Sequence, residues 1–419
     1  MWHARHIEGR VVEALADTPV VVLHGARQTG KSALARRLVD IGRFRTYATL
    51  DDATVLSTAL RDPDGLLANL ALPAVIDEVQ MAPDLFRAIK VVVDRQRRPG
   101  MFLLTGSADV THLPRIAESL AGRVEVIPLA PLSQGELAGQ REWFVDALFG
   151  EADLRDLRPQ PMTAAQLVPR IVRGGYPDVV SRALPARRTA WFEAYVSTLL
   201  QRDIRQWAEI QGIGDVPRLL GLLAGQHGGL VNVANLSREL GYSQPTLHRY
   251  LSLLRAAWLY QPLPAWAGNV RKRLIRADRA FLIDTGLLAW LLGAEAERIE
   301  PASTLFGTLL EAFVVQEVRR QIPWSQIRPD AFYYRTAAGR EVDLVLESRR
   351  GYIVGIEVKA SVTLGDAEVR GLLDLKEAVG SRFKAGAVVH PGREVVPLGD
   401  RLWAVPVGAI WSGAIRSGS

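Results

Sequence analysis

An eight-residue segment, GARQTGKS from Gly25 to Ser32, constrains the fold of this chain more than any other part of its sequence. It follows a continuous apolar run that starts at Val20, and it precedes a stretch in which Leu34 and Leu38 share one helical face. This order predicts a strand, a loop and a helix. The two glycines allow backbone N–H groups and the helix amino terminus to surround phosphate oxygens, so the segment has the form of a P-loop. The alternative is a chance glycine-rich turn, which the flanking strand and helix disfavour.

The P-loop pattern gives its polar residues defined roles. Lys31 would reach the β and γ phosphates of a nucleoside triphosphate, and Ser32 would hold Mg²⁺ through its hydroxyl. We therefore predict that ATP and Mg²⁺ bind at this segment. The predicted nucleotide contacts are Gly25, Ala26, Arg27, Gln28, Thr29, Gly30, Lys31, Ser32 and Ala33.

Two further apolar runs end in residues that would complete a hydrolytic site. In LPAVIDEVQ, residues 72–80, the apolar part ends at Asp77 and Glu78. We expect Asp77 to orient the Mg²⁺ shell and Glu78 to accept a proton from the attacking water. GMFLLTGSADV, residues 100–110, ends in small polar residues, of which Thr105 or Ser107 could contact the γ-phosphate or the water. An ordinary acidic surface loop is the alternative for the carboxylates, but the pair together with the P-loop favours hydrolysis.

Composition narrows the class of protein further. With 419 residues, the chain is long enough for two to four domains of ordinary size. It has no cysteine, which excludes disulfides and thiolate metal sites, and the sequence has no membrane-spanning run and no signal-like apolar segment after its first residues, so we expect a cytoplasmic protein. A net charge of +6 leans only mildly toward polyanionic partners.

The middle of the chain predicts helices and a candidate DNA-binding motif. Residues 139–215 have a helical pattern with proline breaks, typical of a lid or linker. Residues 233–240 predict a short helix that Gly241 ends, and Ser243 would cap a second helix, which is helix-turn-helix spacing. Two strand-like runs joined by PAWAGNVRK follow and resemble a wing. The predicted DNA contacts are Ser243, Gln244, Thr246 and Arg249 in a groove, with Arg271, Lys272 and Arg273 on phosphates. Packing or protein contact is the alternative role of this module.

The last third of the chain predicts a second charged site. FYYRTAAGREVDLVLE and YIVGIEVKAS are interpreted as two strands that carry Asp343, Glu357 and Lys359 in the spacing of a restriction-endonuclease core. Strand side chains alternate, so Glu357 and Lys359 share a face. Asp343 and Glu357, with Glu311 from an amphipathic helix, could hold Mg²⁺ or Mn²⁺, and Lys359 would stabilise a hydroxide nucleophile. The alternative is an ion pair between Glu357 and Lys359 beside an exposed Asp343.

Seven segments together resemble one family over nearly the whole chain. They are GARQTGKS, TLDDATVL, VIDEVQ, LLTGSA, SLAGRVEVIPLAPLSQGEL, RGGYPDVV and YVSTLLQRDI. As a set they resemble the AAA-type P-loop ATPases of bacteria and archaea that carry a C-terminal domain of unknown function. The resemblance makes Arg123, in the LAGR segment, a candidate arginine finger for the γ-phosphate, with a purely structural arginine as the equal alternative.

These observations combine into an α/β architecture of four parts. We predict a P-loop AAA-type ATPase domain with a parallel sheet at 1–138, a helical lid or linker at 139–215, a winged helix-turn-helix domain at 216–300 and a restriction-endonuclease-like α/β domain at 301–419. The predicted function is ATP binding and hydrolysis coupled to DNA binding, with ATP, ADP and DNA as partners, no membrane partner, and room for a homo-oligomer. The alternative is an ATP-switched regulatory binding protein that does not cut DNA. A small-molecule kinase is disfavoured by the Asp77–Glu78 pair and the two C-terminal modules.

Overall fold

The computed structural model of the protein describes residues 2–107, 120–150, 154–157, 159–200, 216–269, 273 and 276–412. These residues form two compact units. The N-terminal unit contains Ala4–Pro131 together with the short segment Arg255–Leu259, and the C-terminal unit contains the rest of the described chain. None of the described helices is both long enough and apolar enough to cross a membrane.

The N-terminal unit is built on a five-stranded parallel sheet in the order β2-β3-β4-β1-β5. Its strands are β1 Val20–His24, β2 Thr46–Thr49, β3 Ala74–Asp77, β4 Phe102–Gly106 and β5 Val124–Pro128. Its helices are α1 Ile7–Leu15, α2 Lys31–Asp40, α3 Ala53–Arg61, α4 Pro63–Ala68 and α5 Leu85–Gln96.

Apolar runs place the central strands of this sheet in the core. All residues of β1, β3 and β4 are buried, as expected for a parallel sheet that is covered on both faces. Side chains from the sheet, such as Val22 and Leu104, pack with Phe86 and Ile89 of α5. Because β1, β3 and β4 run parallel, their carboxyl ends lie at the same edge of the sheet, where ligands of open α/β sheets bind.

The C-terminal unit starts with helices. They are α6 Gln134–Ala138, α7 Phe144–Phe149, α8 Ala164–Arg173, α9 Pro177–Val180 and α10 Pro185–Thr198. After the undescribed residues 201–215 come α11 Val216–Gly225, α12 Val233–Leu240, α13 Gln244–Ala256 and α14 Thr285–Leu291.

Two helices lie where the sequence predicts a helix-turn-helix. α12 ends at Gly241, whose φ of 74° is left-handed, and the Oγ of Ser243 accepts from the Thr246 N–H at 3.4 Å at the start of α13. Three extended segments accompany the helices: residues 278–282 pair antiparallel with 228–231 on one side and with 260–263 on the other. The tip of the predicted wing, at residues 270–272, lies outside the described residues.

A six-stranded mixed sheet completes the C-terminal unit, in the order β10-β11-β9-β8-β7-β6. Its strands are β6 Asp330–Arg335, β7 Glu341–Glu347, β8 Ile353–Val358, β9 Phe383–His390, β10 Val396–Gly399 and β11 Leu402–Pro406, and its helices are α15 Thr304–Gln321, α16 Asp366–Val379 and α17 Ala409–Ser412. The interpretation of FYYRTAAGREVDLVLE as one strand was wrong, because this segment forms the antiparallel hairpin of β6 and β7. The helix that carries Glu311 is also not amphipathic, since α15 is buried on most sides.

A buried ion-pair network fixes α15. The guanidinium of Arg320 contacts Glu317 at 2.6 Å and Asp284 at 3.1 Å, and it donates to the carbonyl oxygen of Leu132 at 3.0 Å. Asp284 in turn accepts from the N–H of Gly175, in the RGGYPD segment. Because a buried charge without a partner is strongly destabilising, these mutual contacts hold α15, and thereby Glu311, in one position.

Candidate functional site

The P-loop has a backbone geometry that its glycines make possible. A Cβ atom on Gly25 would lie 2.2 Å from the carbonyl oxygen of Leu129, so only glycine fits between the loop and the segment after β5. Gly30 has a φ of 96°, in the left-handed region that favours glycine, and it precedes the first residue of α2. No side chain caps the amino terminus of α2, which leaves its first N–H groups available to an anion.

Lys31 places its ammonium within the curve of this loop. Its Nζ donates to the carbonyl oxygens of Gly25 at 2.9 Å and Ala26 at 2.7 Å, and the side chain is buried. A residue that the sequence analysis missed braces the loop from outside: Arg5 donates to the carbonyl oxygens of Thr29 at 2.6 Å and Ala130 at 2.7 Å. No local pattern identifies Arg5, because its partners lie 24 and 125 residues away.

Asp77, at the end of β3, is held by three hydroxyl groups. Its Oδ1 accepts from Ser32 at 3.1 Å and from Thr105, and its Oδ2 accepts from Tyr47 at 2.5 Å. Burial and the hydrogen bond to Asp77 raise the pKa of Tyr47 to about 12, so its phenol remains a donor. Tyr47, which no local pattern identifies, reaches Asp77 from the neighbouring strand β2.

The Ser32–Asp77 pair fits the Mg²⁺ site that the P-loop implies. Their oxygen atoms lie within 3.1 Å of each other at the carboxyl edge of the sheet, next to Lys31. A hydroxyl and a carboxylate are oxygen donors of the type that Mg²⁺ prefers in phosphate-binding sites. These two residues are therefore the ones that would hold Mg²⁺.

Glu78 follows Asp77 in an unusual backbone conformation. Its φ of 58° and ψ of 40° are left-handed, which costs a non-glycine residue about 1–3 kcal/mol and is a feature of functional sites. Its Oε2 accepts from Ser107 at 3.1 Å and from the amide of Gln80, which also donates to Ser107 at 3.0 Å. The structure thus brings Glu78 and Ser107 together, and it adds Gln80, which the sequence analysis did not identify.

Arg123 does not lie near the P-loop of its own unit, and its role as an arginine finger stays a prediction. Its carbonyl oxygen accepts from the N–H of Val20, which is the first residue of β1. The P-loop follows the last residue of β1, at the other end of the strand. About 13 Å of strand separates the two ends. Its guanidinium instead pairs with Asp94 of α5 at 2.5 Å and donates to Ala121. The structural role is the one that these contacts support.

The predicted DNA contacts have different outcomes. On α13, Ser243, Gln244 and Arg249 are exposed and Thr246 is half-buried. Arg271 and Lys272 lie outside the described residues. Arg273 is wrongly assigned to a DNA phosphate: its side chain is only 17% exposed, pairs with Glu347 at 2.6 Å and lies over the ring of Phe332. A guanidinium that is neutralised in this way has little charge to offer a phosphate.

The second charged site assembles on β7, β8 and α15. Leu344 of β7 pairs with Ile356 of β8, so Asp343 and Glu357 are the next residues on the two strands. The Oδ2 of Asp343 accepts from the N–H of Val358 at 2.9 Å. Lys359 pairs with Glu357 at 2.7 Å, while Asp343 is buried and not exposed as the ion-pair alternative expected.

An arginine that the sequence analysis missed lies among these carboxylates. Arg279, on the middle extended segment 278–282, contacts Glu311 at 2.9 Å and Asp343 at 3.3 Å, and it also donates to the carbonyl oxygen of Gly228. It is only 8% exposed. Arg279 thus occupies the place between Glu311 and Asp343 that a cation would take.

The predicted metal role of Glu311, Asp343 and Glu357 stays a prediction, which the contacts of Arg279 and Lys359 with these carboxylates disfavour. Across the part of the chain that the structure describes, no group of three or more His, Asp or Glu residues is positioned to hold a metal ion. The physical reason is that Arg279 and Lys359 already pair with these carboxylates. Burial and the charge of Asp343 raise the pKa of both Glu311 and Glu357, which shows how crowded the negative charges are.

Comparisons with known proteins place this geometry in a family. A family model described as an AAA domain matches residues 17–138, and models of domains of unknown function match residues 164–298 (DUF8612) and 306–410 (DUF4143). The uncharacterized proteins Mb2031c of Mycobacterium bovis and Rv2008c of Mycobacterium tuberculosis are each 33% identical over 414 residues, which is 97% of this chain and 84% of theirs. Among solved structures, the Walker-type ATPase paby2304 of Pyrococcus abyssi aligns with 70% of this chain and 96% of its own, with 14% identity and a TM-score of 0.43.

The identity and coverage of the mycobacterial proteins establish the relationship, and the AAA match covers the P-loop, Asp77 at the end of β3 and Glu78 after it. The chain belongs to the same family as these proteins, the AAA-type P-loop ATPases with a C-terminal domain of unknown function.

Proposed function

We propose that this chain hydrolyses ATP at the carboxyl edge of the parallel sheet, with Glu78 as the general base. The observation that carries the proposal is the strained Glu78, which directly follows Asp77 and whose carboxylate accepts hydrogen bonds from Ser107 and Gln80. A residue in this position is suited to accept a proton, because its own hydrogen bonds fix the direction of its free oxygen.

The proposed reaction divides the work among the described residues. The amino terminus of α2 and Lys31 bind the β and γ phosphates, which lowers the cost of charge that develops during transfer. A water oxygen bonds to the γ phosphorus, its proton passes to Glu78, and the bond to the β–γ bridging oxygen breaks. Mg²⁺, when bound by Ser32 and Asp77, supplies further charge neutralisation. Phosphate release, measured together with nucleotide affinity, tests the proposal. A change at Lys31 should lower both quantities, whereas a change at Glu78 should lower phosphate release alone.

The exposed face of α13 supports a nucleic-acid partner. Ser243, Gln244 and Arg249 are exposed at the start of the second helix of a helix-turn-helix, the part that enters a DNA groove in proteins with this motif. Arg249 forms no ion pair among the described residues, so its charge remains available. We propose that duplex DNA binds along this helix.

Replacing Arg249 with alanine should weaken duplex binding by about 1–3 kcal/mol, because the helix loses a charged contact in the groove. Fluorescence anisotropy over a range of salt concentrations measures the effect. Arg298→Ala is the matched control, since that side chain is 80% exposed and pairs only locally with Glu295. Equal affinities of the two variants would assign α13 to packing or protein contact.

A binding role without cleavage is favoured by Arg279. Because Arg279 and Lys359 neutralise the carboxylates of the nuclease-like site, no step through a metal follows from this arrangement.

Titration with Mn²⁺ in the absence of nucleotide tests whether Arg279 prevents metal binding between Glu311 and Asp343. We expect the full chain to show no Mn²⁺ binding at Glu311 and Asp343, and Arg279→Met to create a site, because it removes the cation between two carboxylates. Adding Asp343→Asn should abolish the new site, and Arg276→Met, three residues away, serves as the control. If the unaltered chain binds Mn²⁺ and Asp343→Asn removes this binding, the claim that Arg279 occupies the site is contradicted.

A further inference from the structure

The C-terminal unit contains a cavity of about 450 Å³ that is lined by three arginines. Arg170 and Arg173 come from the last turn of α8, and Arg188 comes from α10. Gln166 and Leu137 also line the cavity. Its volume is in the range of small-ligand sites, and none of its lining residues is acidic.

The three guanidinium groups have no carboxylate partner in the described part of the chain. Arg188 donates to the carbonyl oxygens of Arg182 and Ala183, both at 2.8 Å, and Arg170 donates to the Oε1 of Gln134 at 3.2 Å. The Nε of Arg173 is buried and has no hydrogen-bond partner. No ion pair among the described residues involves any of the three. The cavity therefore gathers three positive charges that no group in the described ranges neutralises.

The fold holds these charges together against their repulsion. Arg170 and Arg173 are three residues apart on α8 and so share one face of the helix. The two carbonyl contacts pin Arg188 on the facing side of the cavity. Burial lowers the pKa of Arg173, and the charges of Arg170 and Arg188 lower it further. Such an arrangement is unfavourable by itself and becomes favourable when an anion lies between the groups.

We propose that this cavity binds a phosphate-bearing anion with two or more negative charges. Arginine presents a planar fork of donors that matches phosphate oxygens, and three cations exceed what one carboxylate can balance. The phosphates can belong to a free phosphorylated compound or to neighbouring nucleotides of a nucleic acid. The proposal is independent of ATP hydrolysis, because none of its residues belongs to the P-loop.

Calorimetric titration of the full chain with pyrophosphate tests the proposal. Every protein carries Lys31→Ala, which weakens binding of the probe at the P-loop. In this background we expect pyrophosphate to bind and to raise the unfolding temperature, and we expect Arg173→Met to weaken binding by about tenfold or more. Arg187→Met is the matched control, because Arg187 is exposed on the same helix as Arg188 and does not line the cavity.

A second variant shows whether lost binding results from misfolding, and a second probe distinguishes the two sources of phosphate. Arg170→Gln should weaken pyrophosphate binding in the same direction, and in phosphate-free buffer neither variant should unfold at a lower temperature than the parent, because each relieves repulsion. If a single-stranded oligonucleotide also loses affinity in both variants, the source is a nucleic acid; if only pyrophosphate does, the source is a free compound. The proposal would be overturned if the Arg173 and Arg170 variants bound both probes as tightly as the Arg187 control.

Discussion

Replacing Glu78 with glutamine is expected to lower ATP turnover by about two orders of magnitude or more while nucleotide binding is retained. The amide keeps the size of the side chain. It can still form a hydrogen bond with Ser107, which donates to the Glu78 carboxylate at 3.1 Å in the unaltered protein. It cannot accept the proton of the attacking water, so only the chemical step is lost. Steady-state phosphate release and nucleotide affinity, measured on the same preparation, separate the two effects.

The control for this change is an exposed carboxylate of the same unit. Glu13→Gln alters a side chain that is 65% exposed and pairs with Arg10 on α1, so it should leave turnover unchanged. Turnover in Glu78→Gln equal to that of Glu13→Gln would remove Glu78 from the mechanism and leave Gln80 and Ser107 as structural groups.

Replacing Lys31 with alanine should instead impair binding and turnover together. The ammonium lies within the curve of the P-loop, 2.9 Å from the Gly25 carbonyl oxygen, where the phosphates of a nucleotide would meet it. Its loss removes attraction for both the bound nucleotide and the transition state, and we expect turnover to fall by about two to three orders of magnitude. Titration with a fluorescent ATP analogue measures the binding loss. Lys376→Ala is the control, because that ammonium pairs with Asp400 in the C-terminal unit.

The nucleotide site was largely predictable because its parts are contiguous in sequence. The P-loop, the strand before it and the helix after it are local structure, and the Gly25, Gly30 and Lys31 geometry follows from the motif. The position of Asp77 and Glu78 near the P-loop was predictable because parallel strands deliver their carboxyl ends to one edge of the sheet. The ends of the helices α12 and α13 were predictable for the same reason, since Gly241 ends α12 and Ser243 caps the start of α13.

Partners that are distant in sequence were not predictable. Arg279 lies 64 residues from Asp343, and Arg273 lies 74 residues from Glu347, and nothing local indicates either pair. Which carboxylate an arginine meets depends on the packing of the extended segments 260–263 and 278–282, and not on the sequence around the arginine. The pattern of Asp343, Glu357 and Lys359 therefore predicted their convergence but missed the cation that closes the site.

Arg123 illustrates a related limit. Its motif suggests a nucleotide contact, whereas the register of β1 and β5 places its backbone beside Val20, at the edge of the sheet opposite the P-loop. A motif identifies a residue without stating which end of a strand it occupies. Strand register, which long-range pairing decides, supplies that information.

Phosphate release from ATP by the full chain, with and without Mg²⁺ and beside the Lys31→Ala protein, is the most direct test of the central claim. We predict release that requires Mg²⁺ and that is nearly absent in Lys31→Ala, because the described site combines the P-loop, the Ser32–Asp77 pair and Glu78. Release at the same rate by both proteins, or no release by an unaltered chain that binds ATP, would contradict it.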